Sequence, residues 1–234
     1  MDNQAGKWYL RCMEPKTVDQ RLVFFDLIVA GNELTHPIIQ FAAIAVDEHF
    51  GEIDRFETKI RFRQKDVEQK SLFGGIYDRR TWRHFALPEL DALQRAQSFL
   101  RRHSAMGQFA DDETDSPFAQ LVAYDATMKS AFLDAWFARH HAFFPASMRP
   151  LCTMQRATWL LYEDRQMTPI SDFRFATLAD YFGVELRQTV RHDLLACVEA
   201  NIGIFRAMQR WMPKRSETNL SSRSATVLMA TNSN

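Results

Sequence analysis

The first part of the chain carries apolar stretches separated by short polar turns, a pattern that predicts β-strands. Residues 22–28 form a nearly continuous apolar run, as expected of a central strand buried on both faces. A second apolar run covers residues 37–46. After the turn DEHFGE, residues 53–63 alternate apolar and polar side chains, which predicts a half-exposed third strand. Three sequential strands joined by short turns predict an antiparallel meander.

After the third predicted strand, the apolar residues follow helical spacing. It begins in LPELDALQRAQSFLRRH, whose basic last turn favours a helix end. A fourth strand is predicted at residues 120–124, followed by a helix in ATMKSAFLDAWFARHH for which Asp125 is a candidate cap. A short strand in PLCTM precedes helices in QRATWLLYE, TLADYFG and RHDLLACVEANIGIFRAMQRW. Antiparallel strands followed by a βαβα pattern predict a mixed α/β sheet.

Composition narrows the class of protein. A chain of 234 residues with 46% hydrophobic content supports one globular domain. Its 29 basic and 29 acidic residues balance, so a nucleic-acid partner would have to be held by a local basic patch. Three cysteines without CxxC spacing argue against a disulfide framework or a structural zinc site and favour a reducing cytoplasm. No stretch approaches the roughly 20 apolar residues of a membrane span, so no membrane partner is expected.

Three segments follow from this patterning. Residues 1–19 are predicted to be an N-terminal extension, and residues 20–212 the globular domain. Residues 213–234 begin with a helix-stopping proline and are rich in serine, threonine and asparagine. Because such a segment cannot bury enough apolar surface to order itself, it is predicted to be a disordered tail.

Three stretches, in order, resemble the motifs of the DnaQ-like 3′ to 5′ exonucleases of the DEDDh type. FFDLIVAGNELTHPIIQFAAIAVD is similar to the family's opening strand with its Asp-x-Glu motif, TTG-like turn and second strand. LVAYDATMKSAFL resembles LVGHNAxFDxxFL, and TLADYFGVELRQTVRHDLLACVEANIGIFRAM resembles the closing HxAxxD motif. The resemblance covers residues 20 to 212 and implies a ribonuclease H-like α/β fold. Its mixed five-stranded sheet has three antiparallel strands, then βαβα, with helices on both faces.

The resemblance also implies a chemistry. In this family, four carboxylates hold two Mg²⁺ or Mn²⁺ ions, and a histidine takes a proton from the water that attacks the phosphodiester. By the resemblance, Asp26 matches the first carboxylate and His192 matches the general base. Tyr124 and Asp125, at the start of the second motif, would line the substrate cleft.

The other three ligand positions are replaced by Ile28, Lys129 and Cys197. Isoleucine has no lone pair, an ammonium has no acceptor, and a thiol is a soft ligand poorly suited to magnesium. Four negative charges become one negative and one positive charge. No metal cofactor is therefore expected, and Lys129 is expected to lie near Asp26 in place of the metal charge.

Other acids could restore a metal site. Asp125 lies one helical turn before Lys129, where capping or pairing with the lysine is more suitable than metal binding. Glu199 is on a different helix face from Cys197, Asp193 is expected to point to solvent, and Glu33 follows the opening turn. If these acids did replace the missing ligands, the protein would be an active 3′ to 5′ exonuclease using Mg²⁺ or Mn²⁺.

Each site residue also has an ordinary structural interpretation. Asp26 could be a strand-end acid paired with a lysine, His192 could cap or pack at a helix start, and Cys197 could be a small core residue. The basic groups in YDRRTWRHF and SFLRRH could contact phosphate around an interleaved tryptophan, or could simply face water.

Three functional hypotheses remain open on the sequence. The first is a degenerate exonuclease that binds single-stranded DNA or RNA ends, or a protein partner, through the old cleft. The second is an active exonuclease with non-standard ligands. The third is a structural subunit that binds no nucleic acid.

Overall fold

The computed structural model of the protein describes residues 21–68, 77–104, 118–162, 170–186 and 193–211. The predicted N-terminal extension, the predicted tail and His192 lie outside these ranges. Within them, no helix combines the length and the apolar character that crossing a membrane requires.

A five-stranded mixed sheet forms the centre of the fold. Its strands are β1 (Leu22–Val29), β2 (Ile38–Val46), β3 (Glu52–Lys59), β4 (Gln120–Ala123) and β5 (Leu151–Cys152). They lie in the order β3-β2-β1-β4-β5. The pairs β1–β2 and β2–β3 are antiparallel, whereas β1–β4 and β4–β5 are parallel. The predicted three-strand meander followed by parallel strands is therefore confirmed.

Six α-helices lie in the described ranges. They are α1 (Arg79–Phe85), α2 (Glu89–Arg102), α3 (Ala126–Arg139), α4 (Thr153–Tyr162), α5 (Phe175–Tyr181) and α6 (Leu194–Arg210). Five of them match the helices predicted from spacing. The sixth, α1, was not predicted, and its N-cap is Asp78, whose carboxylate accepts a hydrogen bond from the Thr81 backbone at 2.7 Å.

The third strand is shorter than predicted. Instead of continuing to residue 63, it ends at Lys59, because the chain then leaves the sheet edge. The backbone N–H of Ile60 still donates to Ile39, but that of Arg61 donates to Leu87, just before α2. The alternation of apolar and polar residues thus runs past the point where strand pairing stops.

Helices cover both faces of the sheet, as predicted. On one face, Val23, Phe25 and Leu27 of β1 pack in an apolar cluster with residues of α2 and α3. On the other face, Phe24 packs with residues of α4, α5 and α6. Because side chains alternate along a strand, Asp26 projects to the α6 face, between Phe24 and Ile28.

Candidate functional site

Asp26 lies in the second half of the central strand β1, at the edge where the parallel strand β4 turns into α3. In the antiparallel ladder it stands opposite Ala42 of β2. The small Ala42 side chain, which is fully buried, adds no bulk beside the carboxylate. One turn into α3, Lys129 projects back over this edge and reaches the carboxylate. Strand register and the β4–α3 turn thus bring the two residues together.

The two residues form a close ion pair. Lys129 Nζ lies 2.7 Å from Asp26 Oδ1, and the exposed fractions of the two side chains are 12% and 19% respectively. The same Asp26 oxygen accepts a hydrogen bond from the Leu27 backbone N–H at 2.7 Å. The predicted closeness of Lys129 to Asp26 is confirmed. An ammonium group therefore occupies the approach to the Asp26 carboxylate.

Tyr124 forms one wall beside this ion pair. Lys129 Nζ lies 5.9 Å from the centroid of the Tyr124 ring, within the range of a cation–π interaction. The Tyr124 hydroxyl donates to the Phe173 carbonyl at 2.5 Å, and burial raises the pKa of the phenol. The ring is thus held in place, and the ammonium lies between a carboxylate and an aromatic face.

Asp125 does not cap α3 through its side chain, contrary to the prediction. It occupies the N-cap position, but its backbone is left-handed, with φ of 55° and ψ of 54°, and its side chain makes no capping hydrogen bond. Aspartate tolerates this conformation better than most residues, which permits the sharp turn from β4 into the helix. Asp125 therefore shapes the turn that aims Lys129 at Asp26.

Cys197 of α6 belongs to the same site. Burial raises the pKa of its thiol to about 11, with a further increase from the Asp26 carboxylate and a partial decrease from the Lys129 ammonium. The thiol is therefore protonated at neutral pH. Since a thiolate and not a thiol binds metals, Cys197 is a poor replacement for a magnesium-binding carboxylate.

Ile28, which the family resemblance aligns with the second acid, has an apolar side chain. It is partly buried and packs against two apolar clusters, one under α6 and one that includes Trp82 of α1.

The alternative acids make other contacts. Asp193 accepts a hydrogen bond from the Ala196 backbone at 3.1 Å and caps α6. Glu199 pairs with Arg55 at 3.3 Å. Glu33 lies in the exposed β1–β2 turn, where it accepts from the Thr35 hydroxyl at 3.3 Å.

These contacts decide whether the family's metals fit the site. No cluster of three or more His, Cys, Asp or Glu side chains suited to a metal ion occurs among the described residues, a set that does not include His192. One carboxylate already paired with an ammonium, one neutral thiol and one isoleucine do not fit two hard divalent cations. The described donor set therefore disagrees with the metal content that the family resemblance implies.

Sequence reasoning missed a row of polar side chains next to Ile28. Gln40 stands opposite Ile28 in the ladder and is 2% exposed. Its amide donates to Glu57 Oε1 at 2.5 Å, and Glu57 pairs with Lys59 at 3.4 Å. The sequence did contain an indication of this row, because a glutamine such as Gln40 inside an apolar strand needs a buried hydrogen-bond partner. This row of polar side chains extends the polar part of the site from β1 across β2 to β3.

The environment of Cys197 predicts that its thiol reacts slowly with a disulfide reagent. In a Cys12→Ser/Cys152→Ala background, Cys197 should react with a disulfide reagent at pH 8 about 100-fold more slowly than the same chain unfolded in denaturant. The reason is that a pKa of about 11 instead of 9.0 leaves about 100-fold less thiolate. Equal rates in the folded and unfolded chains would contradict this description of the site.

Comparison with known proteins places the fold. No family model and no curated protein matches the chain. Solved structures of exonuclease I do match. One aligns with a TM-score of 0.65 at 17% identity, over 90% of this chain and 45% of that chain. The zinc-bound complex of E. coli exonuclease I with single-stranded DNA aligns with a TM-score of 0.64 at 18% identity, over 90% and 45%. A complex of exonuclease I with SSB-Ct aligns with a TM-score of 0.62 at 17% identity, over 91% and 46%.

These matches establish the fold. The chain has the exonuclease fold, of the ribonuclease H-like class, and spans about 45% of the length of the exonuclease I chain. At such low identity the likeness concerns backbone architecture, so activity has to be argued from the residues of the site.

Proposed function

We propose that this protein is a catalytically inactive member of the exonuclease fold that binds a nucleic-acid end, or a protein partner, through the former substrate cleft. The observation that carries the proposal is the ion pair between Lys129 Nζ and Asp26 Oδ1, at 2.7 Å. It puts a fixed positive charge against the remaining carboxylate. Hydrolysis of a phosphodiester by the family's route needs two metal ions, and this site does not offer the ligands to hold them.

Because of this ion pair, the cleft should bind phosphate better than a site of four carboxylates without metal would. A cluster of four carboxylates without metal would repel a phosphodiester. Here the formal charges of Asp26 and Lys129 cancel, and Tyr124 adds an aromatic wall on which a base could stack. A terminal nucleotide could therefore enter the cleft without a metal ion to neutralise it.

The structural neighbours support both kinds of ligand. Exonuclease I has been solved with single-stranded DNA and with SSB-Ct, a protein segment. Since these matches establish only a common fold, they motivate tests with both a strand and a protein and do not choose between them.

The proposal predicts that the unmodified protein does not hydrolyse single strands. End-labelled DNA and RNA oligonucleotides, incubated with micromolar protein in Mg²⁺ and separately in Mn²⁺, should show no shortening above that of a blank preparation. An Asp26→Ala variant is the matched control. Metal-dependent shortening that Asp26→Ala abolishes would refute the proposal and establish an active exonuclease with non-standard ligands.

A binding measurement separates the proposal from a purely structural role. A labelled oligonucleotide with a free 3′ end should bind, and the affinity should fall as salt rises, because phosphate contacts release counterions. A chain that bound neither the oligonucleotide nor any protein partner would fit a structural subunit instead.

Magnesium should not stabilise the folded protein. Anything that binds only the folded state raises the melting temperature, and one paired carboxylate offers magnesium little binding free energy. We expect the same melting temperature with and without millimolar Mg²⁺ or Mn²⁺. A rise of several degrees that Asp26→Ala removes would contradict the expectation.

A further inference from the structure

A cavity of about 930 Å³ lies between the chain that follows β3 and the helix α1. It does not include Asp26, Ile28, Lys129 or Cys197, the four residues that the resemblance aligns with metal ligands and that we call the former metal site. The rim of the cavity carries four exposed arginines: Arg61, Arg79, Arg80 and Arg83. Among the described residues that line it, Asp78 is the one acid, so with His84 counted as neutral their net formal charge is plus three. In a chain whose total charges balance, this is a local concentration of positive charge. We call this cavity the arginine pocket.

Three aromatic side chains line the arginine pocket below these charges. The rings of Phe62 and Tyr77 lie 5.3 Å apart, and those of Tyr77 and Trp82 lie 5.2 Å apart. Trp82 is 5% exposed, and its indole N–H donates to the Ile39 carbonyl at 3.2 Å. Trp82 is therefore a fixed floor, whereas Phe62 and Tyr77 are partly exposed and can meet a ligand.

Helix stability does not explain Arg79 and Arg80. Arg79 and Arg80 lie in the first turn of α1, where the helix dipole disfavours positive charge, and no acid accompanies them in that turn. Asp78 is occupied in capping the helix, through the Thr81 backbone at 2.7 Å and the Thr81 hydroxyl at 2.5 Å. Arg61 is anchored to the pocket wall, because its Nε donates to the Ala86 carbonyl at 2.8 Å.

We infer that the arginine pocket binds the interior of a single-stranded nucleic acid. Guanidinium groups bind phosphate oxygens in a two-pronged geometry, and aromatic faces stack on bases. An acidic peptide would use the charges but not the partly exposed rings of Phe62 and Tyr77. A single strand uses both, since its phosphates and its unpaired bases are presented together.

The arginine pocket is close to the former metal site. Ile28 packs against the same apolar cluster as Phe62, Tyr77 and Trp82, so one apolar layer separates the two. A strand with its end in the cleft could pass over the pocket. The inference does not require this, because the arginine pocket recognises the strand and not its end.

A circular oligonucleotide tests the inference separately from the proposed function. A fluorescently labelled circular oligothymidylate has no end to place in the cleft, so its binding reports only on strand contacts. The matched linear oligothymidylate is the second probe. Arg79→Gln/Arg83→Gln removes two charges one helical turn apart, and Arg206→Gln/Arg210→Gln on α6 removes two exposed charges at the same spacing as the control.

The inference predicts a different change in binding for each variant. The double change in the arginine pocket should weaken binding of the circular strand at least tenfold, and the negative slope of log affinity against log salt should become less steep by about 1.4. The α6 control should change affinity less than twofold. Arg80→Gln alone should weaken binding about threefold, and Tyr77→Leu should weaken it without changing the salt slope. Melting temperatures of the arginine variants should match that of the unmodified protein.

Two results would overturn the inference. One is a circular strand that does not bind, or that binds the Arg79→Gln/Arg83→Gln variant as tightly as the unmodified protein. The other is polyglutamate competing as well as oligothymidylate while Tyr77→Leu has no effect, which would describe a general polyanion surface. If linear and circular strands bind equally and the double change weakens both, the arginine pocket is supported although end recognition in the cleft is not.

Discussion

Replacing Lys129 by alanine should lower the free energy of unfolding by about 2–3 kcal/mol. The change leaves Asp26, whose side chain is 19% exposed, without the ammonium that lies 2.7 Å from it. Removing one partner of a fully buried pair costs about 3–5 kcal/mol, because the other charge remains desolvated. The partial exposure of Asp26 puts the expected cost below that range. Denaturant unfolding at pH 7 measures it.

Two controls show whether the pair itself is responsible. Lys65, an exposed lysine in the short 3₁₀ turn after β3, should change stability by less than about 0.5 kcal/mol when replaced by alanine. The double variant Asp26→Asn/Lys129→Met removes both charges at similar volume and should recover much of the loss. If Lys129→Ala costs no more than Lys65→Ala, the ion pair contributes little and Lys129 does not replace the metal charge structurally.

The position of Asp26 could be predicted because strand alternation is a strong constraint. A continuous apolar run identified β1, and the side chains at 24, 26 and 28 had to share one face. The second motif identified the helix that carries Lys129. Given a sheet with β4 beside β1, the two residues had to lie at the same edge. The ion pair was predicted from the family resemblance, and the observed register and topology explain why the two residues meet.

Other features depended on tertiary contacts that local sequence does not encode. Nothing in the alternation of residues 53–63 indicated that Arg61 would bond to Leu87 and end the strand. Asp125 looked like a cap, but the turn required a left-handed residue, which removed its side chain from the helix end. The helix α1 was missed because its seven residues are too short for a clear apolar period.

The same limit applies to the arginine pocket. The sequence showed basic residues around Trp82 but not which of them were exposed or what lay beneath them. Trp82 itself is part of the core, so the predicted interleaved tryptophan is not the residue available for stacking. The partly exposed rings of Phe62 and Tyr77, which come from two different segments of the chain, are the ones available for stacking. Only the fold brings an aromatic pair from two segments under one set of charges.

Restoring the family's acids should recover magnesium binding only when all three are present. The triple change Ile28→Glu/Lys129→Asp/Cys197→Asp adds three carboxylates to that of Asp26, converting a formally neutral site into one with four negative charges. Without metal, the variant should be less stable than the unmodified protein, because the acids repel one another. Millimolar Mg²⁺ or Mn²⁺ should offset this loss and raise the melting temperature by several degrees, through binding to the folded state alone.

The single changes should not add up to this result. Ile28→Glu alone places a carboxylate against two apolar clusters and costs stability without creating a metal site, since Lys129 still pairs with Asp26. Lys129→Asp and Cys197→Asp alone should bind magnesium no better, because ligands that act as one unit show strongly non-additive effects. Titration of each variant with Mg²⁺ by calorimetry makes the comparison.

Hydrolysis is a separate outcome of the same series. If His192 provides the base that the family resemblance implies, the triple variant should shorten single strands in Mg²⁺, and a further His192→Ala change should abolish shortening while leaving magnesium binding intact. A triple variant that folds but binds no magnesium would mean that these four positions do not converge as they do in the family. In that case Lys129 would be an ordinary structural partner of Asp26, and the proposed inactivity could not be attributed to these replacements.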